Sequence, residues 1–373
     1  MISCKLKDIC KLVKGKQIDT SLLAENLPFK YINGGVKESG CYEEYNTNGN
    51  TIIISEGGAS CGYVNYITEK FWLGCHCYKL IDVSVDSKYL FYSLKANQQR
   101  IMELRTGAAM PNIKKTILNE LPIKVSMDET EQKQIVEKLD YIEHLLEIQN
   151  TILLSLDELT KSRFMEMFGD PVSNTLCWPQ TLLREVTTKI GSGATPKGGQ
   201  GSYQAEGTSL IRSMNVHDGR FEYKDLAHIS DIQAAKLKGV SVEVGDVFIN
   251  ITGASVARSC IVPNDVLPAR VNQHVAIIRC CKNQITPTFA NNMFLHNHFK
   301  EYLFDIGEAG GATRQAITKQ QLENLTIILP PIEKQKEFSF FVEQIDKSKL
   351  VIKKTIAELE ELRSSLMQKY FFD

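Results

Sequence analysis

The residues best able to do chemistry in this 373-residue chain are two cysteine clusters, one glycine-rich loop and two histidines. Cys75-His76-Cys77 and Cys280-Cys281 offer thiolate and imidazole ligands for a metal ion. No second CxxC and no matching His pair completes a tetrahedral set, so no metal site is assigned and apolar packing is expected. Ten cysteines without framework spacing fit a reducing cytoplasm. Gly191-Ser-Gly-Ala-Thr-Pro-Lys-Gly-Gly199 could wrap a phosphate. It lacks P-loop order, because Lys197 follows Pro196 and precedes Gly198, and it lacks GxGxxG spacing. His76 and His274 could act as general bases. Each lies in a strand pattern without a matched carboxylate, which favours a structural or nucleic-acid-facing role. HExxH, GxSxG and kinase signatures are absent. Leu329-Pro-Pro-Ile332 is the only Pro-Pro, so the tetrapeptide for amino methylation of a base is missing, and so is a nuclease set. Catalysis by this chain alone is not expected.

The elements that must position any site come in two copies. Asp128 to Phe168 reads as one long helix, with Ile135, Leu139, Ile142, Leu146, Leu153, Leu156 and Met167 near a 3.5-residue step. Asp128 and Glu131 have capping-box spacing, with an acid in place of Ser or Thr. Gly169 followed by Pro171 is a stop signal. About 40 helical residues span roughly 60 Å, more than most single domains, so the helix reads as a strut. A second copy runs from about Glu333 to Tyr370, with Phe341, Ile345, Ile352, Ile356, Leu359, Leu366 and Tyr370 apolar. A shift of 203 (335 − 132) lays Gln132-Lys133 on Gln335-Lys336, Asp157-Glu158-Leu159 on Glu360-Glu361-Leu362, and Asp170 on Asp373. Gln149, Thr160 and Arg163 interrupt the first stripe, so two amphipathic helices buried within one domain is the alternative to a paired coil.

A mixed globular segment precedes each long helix. In the first, Leu6 to Val13 is an amphipathic opening, Thr51–Ser55 a strand, Phe71 to Ile81 another, Tyr89 to Arg105 a helix and Leu121 to Val125 a closing strand. The second repeats the order with Leu182 to Ile190, Asp246 to Ile251, Val271 to Arg279, Thr288 to Phe304 and Leu325 to Ile327. Gly58-Ala59-Ser60 and Gly253-Ala254-Ser255 take equivalent places, and His274 takes that of His76. The predicted organisation is therefore residues 1–126, a recognition globule; 127–170, a central helix; 171–331, a second globule; and 332–373, a C-terminal helix. The fold class is α+β, with two similar mixed domains separated by two long antiparallel coiled-coil helices in a pseudo-two-fold repeat. A net charge of −1 argues against a non-specific polycation. No apolar run approaches the ~20 residues of a membrane span. The first residues lack a signal-peptide core, so a cytoplasmic location is expected.

In this frame, Gly191-Ser-Gly-Ala-Thr-Pro196, Val271-Asn-Gln-His-Val-Ala-Ile-Ile278 and Ile328-Leu-Pro-Pro-Ile-Glu-Lys-Gln335 carry a family resemblance, with Leu121-Pro-Ile123 and Glu131-Gln-Lys133 as first-half versions. The chain resembles the specificity subunit (HsdS) of bacterial type I restriction–modification systems over essentially its whole length. The first half departs from the pattern, because Val13-Lys-Gly-Lys-Gln17 lacks the Thr-Pro loop. The resemblance implies a non-catalytic, sequence-specific subunit with two target-recognition domains, each reading half of an asymmetric bipartite site in double-stranded DNA. It implies two docked methylation subunits and added restriction subunits. S-adenosylmethionine, ATP and Mg would be held by those partners, and this chain would hold no cofactor. Candidate phosphate anchors are Lys37, Lys114, Lys115, Lys197, Lys319 and Arg258. Candidate base readers are Asn112, Arg212, Asn215, Arg270, Gln273, Arg314 and Gln315. A specificity subunit of a type II-like (IIB/IIG) enzyme and a coiled-coil scaffold without DNA function stay as alternatives.

Overall fold

The computed structural model describes residues 1–34, 36–107, 111–308 and 316–372. These divide into two units, Met1–Thr151 with Ile352–Asp373, and Ile152–Val351. The first unit runs β1 (Ile2–Lys5), α1 (Leu6–Ile9), β2 (Lys11–Lys14), β3 (Phe29–Ile32), β4 (Cys41–Tyr42), β5 (Thr51–Ser55), β6 (Val64–Ile67), β7 (Phe71–Leu73), β8 (Cys77–Ile81), α2 (Ser87–Ala96), α3 (Gln98–Glu103), α4 (Lys115–Asn119) and β9 (Pro122–Val125). The long helix α5 (Glu129–Phe168) then leaves it for the second unit. That unit continues with β10 (Gln180–Leu182), β11 (Thr187–Ser192), β12 (Thr208–Ile211), β13 (Val216–His217), β14 (Arg220–Phe221), β15 (Ala227–Ile229), α6 (Asp231–Lys236), β16 (Val247–Asn250), β17 (Ser259–Ile261), β18 (Ala269–Val271) and β19 (Val275–Cys280). It ends with α7 (Pro287–Leu295), α8 (Asn297–Glu308), α9 (Lys319–Glu323) and β20 (Thr326–Ile328), and α10 (Ile332–Phe371) returns to the first unit.

The two sheet systems have one topology. The sheet β2-β8-β5-β6 matches β11-β19-β16-β17, β4-β3-β7 matches β15-β12-β18, and the ribbon β1-β9 matches β10-β20. In each three-stranded sheet one pair is antiparallel and the other parallel. The hairpin β13-β14 and helix α6 are additions of the second unit. Main-chain hydrogen bonds repeat as well. Glu56 N donates to His76 O (2.8 Å) and Ile113 N to Glu56 O (2.8 Å). In the second unit Ile251 N donates to His274 O (3.0 Å) and Ile317 N to Ile251 O (2.8 Å).

Each half breaks where the sequence pattern predicts continuity, and at the same points. The strand predicted from Phe71 to Ile81 is β7 and β8, parted at Gly74–His76, and that from Val271 to Arg279 is β18 and β19, parted at Asn272–His274. Alternation survives because both pieces bury one face, while the chain passes from the small sheet to the large one. His76 and His274 therefore sit in turns. The helix predicted from Tyr89 to Arg105 is α2 and α3 with Asn97 between them, and that from Thr288 to Phe304 is α7 and α8 with His296 between them.

Helices α5 and α10 have 40 residues each and are offset by 203 (332 − 129). Asp128 caps α5, its Oδ1 accepting from Thr130 N (2.8 Å), but Glu131 turns to the Ser126 hydroxyl and does not close a capping box. Gly169 ends the helix with φ +70°, a conformation that costs glycine little. Ile135, Leu139, Ile142, Leu146, Gln149, Leu153, Leu156, Thr160, Arg163 and Met167 are all buried or half-buried. These steps of 3 and 4 make one heptad seam. The residues 203 further on, Phe338 to Tyr370, repeat it. In the first unit the start of α5 meets the end of α10, with Arg363 on Glu143 (3.2 Å). In the second the end of α5 meets the start of α10, with Lys349 on Asp157 (2.6 Å) and Arg163 on Glu337 (3.0 Å). The pair is therefore antiparallel, and each pairing continues into a core. Phe371 joins Leu12, Ile54, Tyr89 and Leu139 in the first unit, and Phe168 joins Phe164, Phe289, Phe338 and Ile249 in the second.

Candidate nucleic-acid interface

Antiparallel register puts the C-terminal ends of β2 and β5 beside the start of β8, and those of β11 and β16 beside the start of β19. The loops leaving these ends carry most of the exposed polar side chains of interest. In the first unit they are tied together. Gly58 N donates to Pro111 O (3.1 Å), Gly57 and Asn112 form a bridge, and the Ser60 hydroxyl donates to Gly34 O. His76 N donates to Asn33 Oδ1 (3.1 Å), and Gln17 Oε1 accepts from the Cys75 thiol (3.0 Å) and Tyr31 hydroxyl (3.3 Å).

On this end Asn112 is half-buried, and Lys114 and Lys115, at the start of α4, are exposed. Lys37 is exposed on the loop after β3. Sequence reasoning passed over Lys14, Lys16, Gln17 and Asn33, although Lys14 to Gln17 lies within the segment noted as departing from the family pattern. Lys14 pairs with the buried Glu56 (2.6 Å), which also accepts from the Tyr78 hydroxyl (2.6 Å). Burial, reinforced by that hydrogen bond to Glu56, pushes the Tyr78 hydroxyl well above its usual range. Lys16 is exposed and, behind desolvation, helps hold the Lys79 ammonium below its usual value.

In the second unit the Thr195 hydroxyl donates to Gln273 Oε1 (2.5 Å), Gln273 Nε2 meets His274 Nε2 (3.0 Å), and His274 Nδ1 meets the Thr252 hydroxyl (2.6 Å). Both ring nitrogens of His274 are thus engaged by neutral groups. Gln273 is exposed, Arg258 half-buried and Lys197 exposed. Lys319 opens α9 as Lys115 opens α4, and it pairs with Glu323 (3.4 Å). Thr195 and Thr252 complete the chain of polar groups and were not singled out from sequence, where a threonine in a loop carries no pattern.

Three predicted base readers are used inside the fold. Asn215 is fully buried; its Oδ1 accepts from Arg212 N (3.1 Å) and its Nδ2 donates to Glu222 O (2.9 Å), so it braces a turn and has no free edge for a base. Arg270 donates to Ala234 O (3.1 Å) and Ala269 O (2.8 Å). Arg212 donates to Asp225 O and lies over the Tyr203 ring (5.4 Å). Arg314 and Gln315 lie outside the described residues. The glycine-rich loop has a backbone reason for its composition: a Cβ on Gly193 would stand 1.8 Å from Val271 O, and Gly198 has φ +96°. Cys77 is buried with Ile32, Ile53, Phe71 and Leu73, and burial pushes its thiol up to about 11, so it is packing and not a thiolate ligand.

This repeated frame with two differing loop sets agrees with known proteins. The family model for the type I restriction modification DNA specificity domain matches residues 3–158 and 189–361. The chain belongs to that family and carries its domain twice. It is 23% identical over 390 aligned positions to the MjaVIII specificity subunit of Methanocaldococcus jannaschii, covering 97% of this chain and 90% of that one. It is 35% identical over 221 residues to a Mycoplasma pneumoniae chain provisionally named type I specificity subunit S.MpnORF638P. That alignment covers 58% of this chain and 57% of the relative. The fold matches the crystal structure of a type I restriction–modification S subunit from M. genitalium, with TM-score 0.63, 21% identity, and 100% and 96% of the two chains covered.

Proposed function

We propose that this chain is the DNA-recognition subunit of a type I restriction–modification complex, each globule reading one half of an asymmetric bipartite site. The observation that carries this is duplication with divergence: one backbone frame holds two chemically different sets of loop side chains. Loops ending in Lys, Asn, Gln and Thr suit phosphate anchoring and groove-edge hydrogen bonding. The chain itself supplies no catalytic group, and S-adenosylmethionine, ATP and Mg belong to partner subunits in the cytoplasm. Exposed apolar side chains off the helical seam support docking of two methylation subunits, to which restriction subunits add. These are Tyr141, Ile148 and Leu362 in the first unit and Leu154, Phe340 and Leu350 in the second. Among the described residues no helix is long and apolar enough to cross a membrane.

The test is a genome-wide map of methylated adenines with and without this gene, the neighbouring methylase being expressed. A split motif that vanishes on deletion is expected. An unchanged map, with the methylase shown to be active, would reject the reading and favour a scaffold without DNA function.

A further inference from the structure

We propose that Asp170, His296 and His298 form a binding site for a divalent transition-metal ion such as Zn2+, joining the residue beyond α5 to the α7–α8 joint. One donor atom of each residue lies within 4.8 Å of the others. Two imidazole nitrogens and one carboxylate oxygen are the ligands of a three-residue zinc site, with a fourth position left for water. Imidazole selects such ions over Mg2+ and Ca2+, which take oxygen ligands.

The carboxylate is already fixed. Asp170 is buried, and its Oδ1 accepts from Val172 N (2.8 Å) and Ser173 N (3.1 Å). Its Oδ2 faces His298 Nδ1 in a short hydrogen bond. The His296 ring lies 5.5 Å from that of His298, centroid to centroid. His296 Nε2 sits 3.0 Å from Met165 Sδ, while Nδ1 is buried and has no hydrogen-bond partner among the described residues. A buried ring nitrogen without a partner is uncommon and asks for one, and an ion is a partner of the right chemistry.

The helix–joint–helix geometry does not need these histidines. At the same joint in the first unit, between α2 and α3, stands Asn97, whose amide donates to Ser93 O (2.9 Å). Two residues on, Gln99 bonds Glu103 (2.9 Å). The histidines are thus an addition of the second unit. Tetrahedral bonds of about 2.0–2.1 Å set donors about 3.3 Å apart, and the exposed His298 ring reaches that geometry by exchanging its hydrogen bond with Asp170 for the ion.

The test uses the full-length chain, stripped by chelator and titrated with Co2+. One tightly bound equivalent is expected, with visible d–d absorption, no thiolate charge-transfer band, and displacement by Zn2+. H298A is expected to bind at least about tenfold more weakly. H296N, which copies the first-unit joint, should lose binding while its metal-free unfolding temperature stays near wild type. At one Zn2+ concentration the unfolding temperature should rise most in the wild type, less in H298A and not in H296N. Three results would overturn the site: no bound-ion spectrum in the wild type, unchanged affinity in H298A, or a thiolate band that survives H298A.

Discussion

Gln132 and Gln335 do the same work 203 (335 − 132) residues apart. Gln132 is buried at the start of α5, where its Oε1 accepts from Asp86 N (2.7 Å) and its Nε2 donates to Ser126 O (2.8 Å). Gln335 is buried at the start of α10, accepts from Thr286 N (2.9 Å) and donates to Gln284 O (3.0 Å) and Pro330 O (2.8 Å). Asp86 and Thr286 are the N-caps of α2 and α7, so each glutamine holds a globule's helix to its long helix. Gln132→Leu and Gln335→Leu would each strand buried backbone groups and are expected to cost about 1–3 kcal/mol in chemical denaturation. An effect within error would mean these bonds are replaced by water. The sequence shows the Gln-Lys match and not its purpose, because the partners are main-chain atoms that leave no trace in residue type. At the proposed interface, Lys114→Ala and Lys115→Ala should each lower the slope of log affinity against log salt by about 0.9, measured on specific DNA. A slope unchanged in both would remove this loop from the phosphate contacts. Burial pushes the Cys10, Cys260 and Cys280 thiols up to about 12, so they should resist a thiol-reactive dye at pH 8 in the folded chain, whereas exposed Cys177 should react.

Among elements, the long helices were the most legible and the loops the least. A heptad repeated over many turns is a strong signal, and the seam runs on through Gln149, Thr160 and Arg163, which the sequence presents as interruptions. Thr160 is tolerated because its hydroxyl bonds Leu156 O (3.1 Å), and Arg163 because its guanidinium reaches Glu337. The strand and helix breaks were missed because a change of sheet, or a single joint residue such as Asn97 or His296, keeps the apolar rhythm on both sides. Base readers were overassigned for a related reason. Arg and Asn in a loop look alike from sequence whether they face solvent or, like Asn215 and Arg270, close a turn. Phe168 and Phe371 are repeat equivalents, each ending a long helix inside a different core. Phe168→Ala and Phe371→Ala should each destabilise by about 3–5 kcal/mol, read by denaturant titration. Losses under about 1 kcal/mol would show that the helix ends are not anchored there.

For the whole molecule, both long helices pass from one unit to the other near their midpoints, Thr151–Ile152 and Val351–Ile352. Inserting one helical turn beside Thr151, with a matching turn beside Val351, is expected to change the number of unread bases between the half-sites and leave the half-sites themselves unchanged. The readout is the methylation map of cells carrying the variant. Altered bases within a half-site would contradict a spacer role for the helices.

The glutamine attachments bear on how such a protein can acquire new addresses. Each grips its globule through amide hydrogens and carbonyl oxygens that every residue at those places, apart from a proline amide, would supply. Those bonds make little demand on the sequence of the globule, whose apolar socket for Phe371 or Phe168 is the part that must match. Genetic exchange could bring in a globule with different loops, provided that it carries this apolar socket. A new target would then come from one crossover, with no need for coordinated point mutations across an interface.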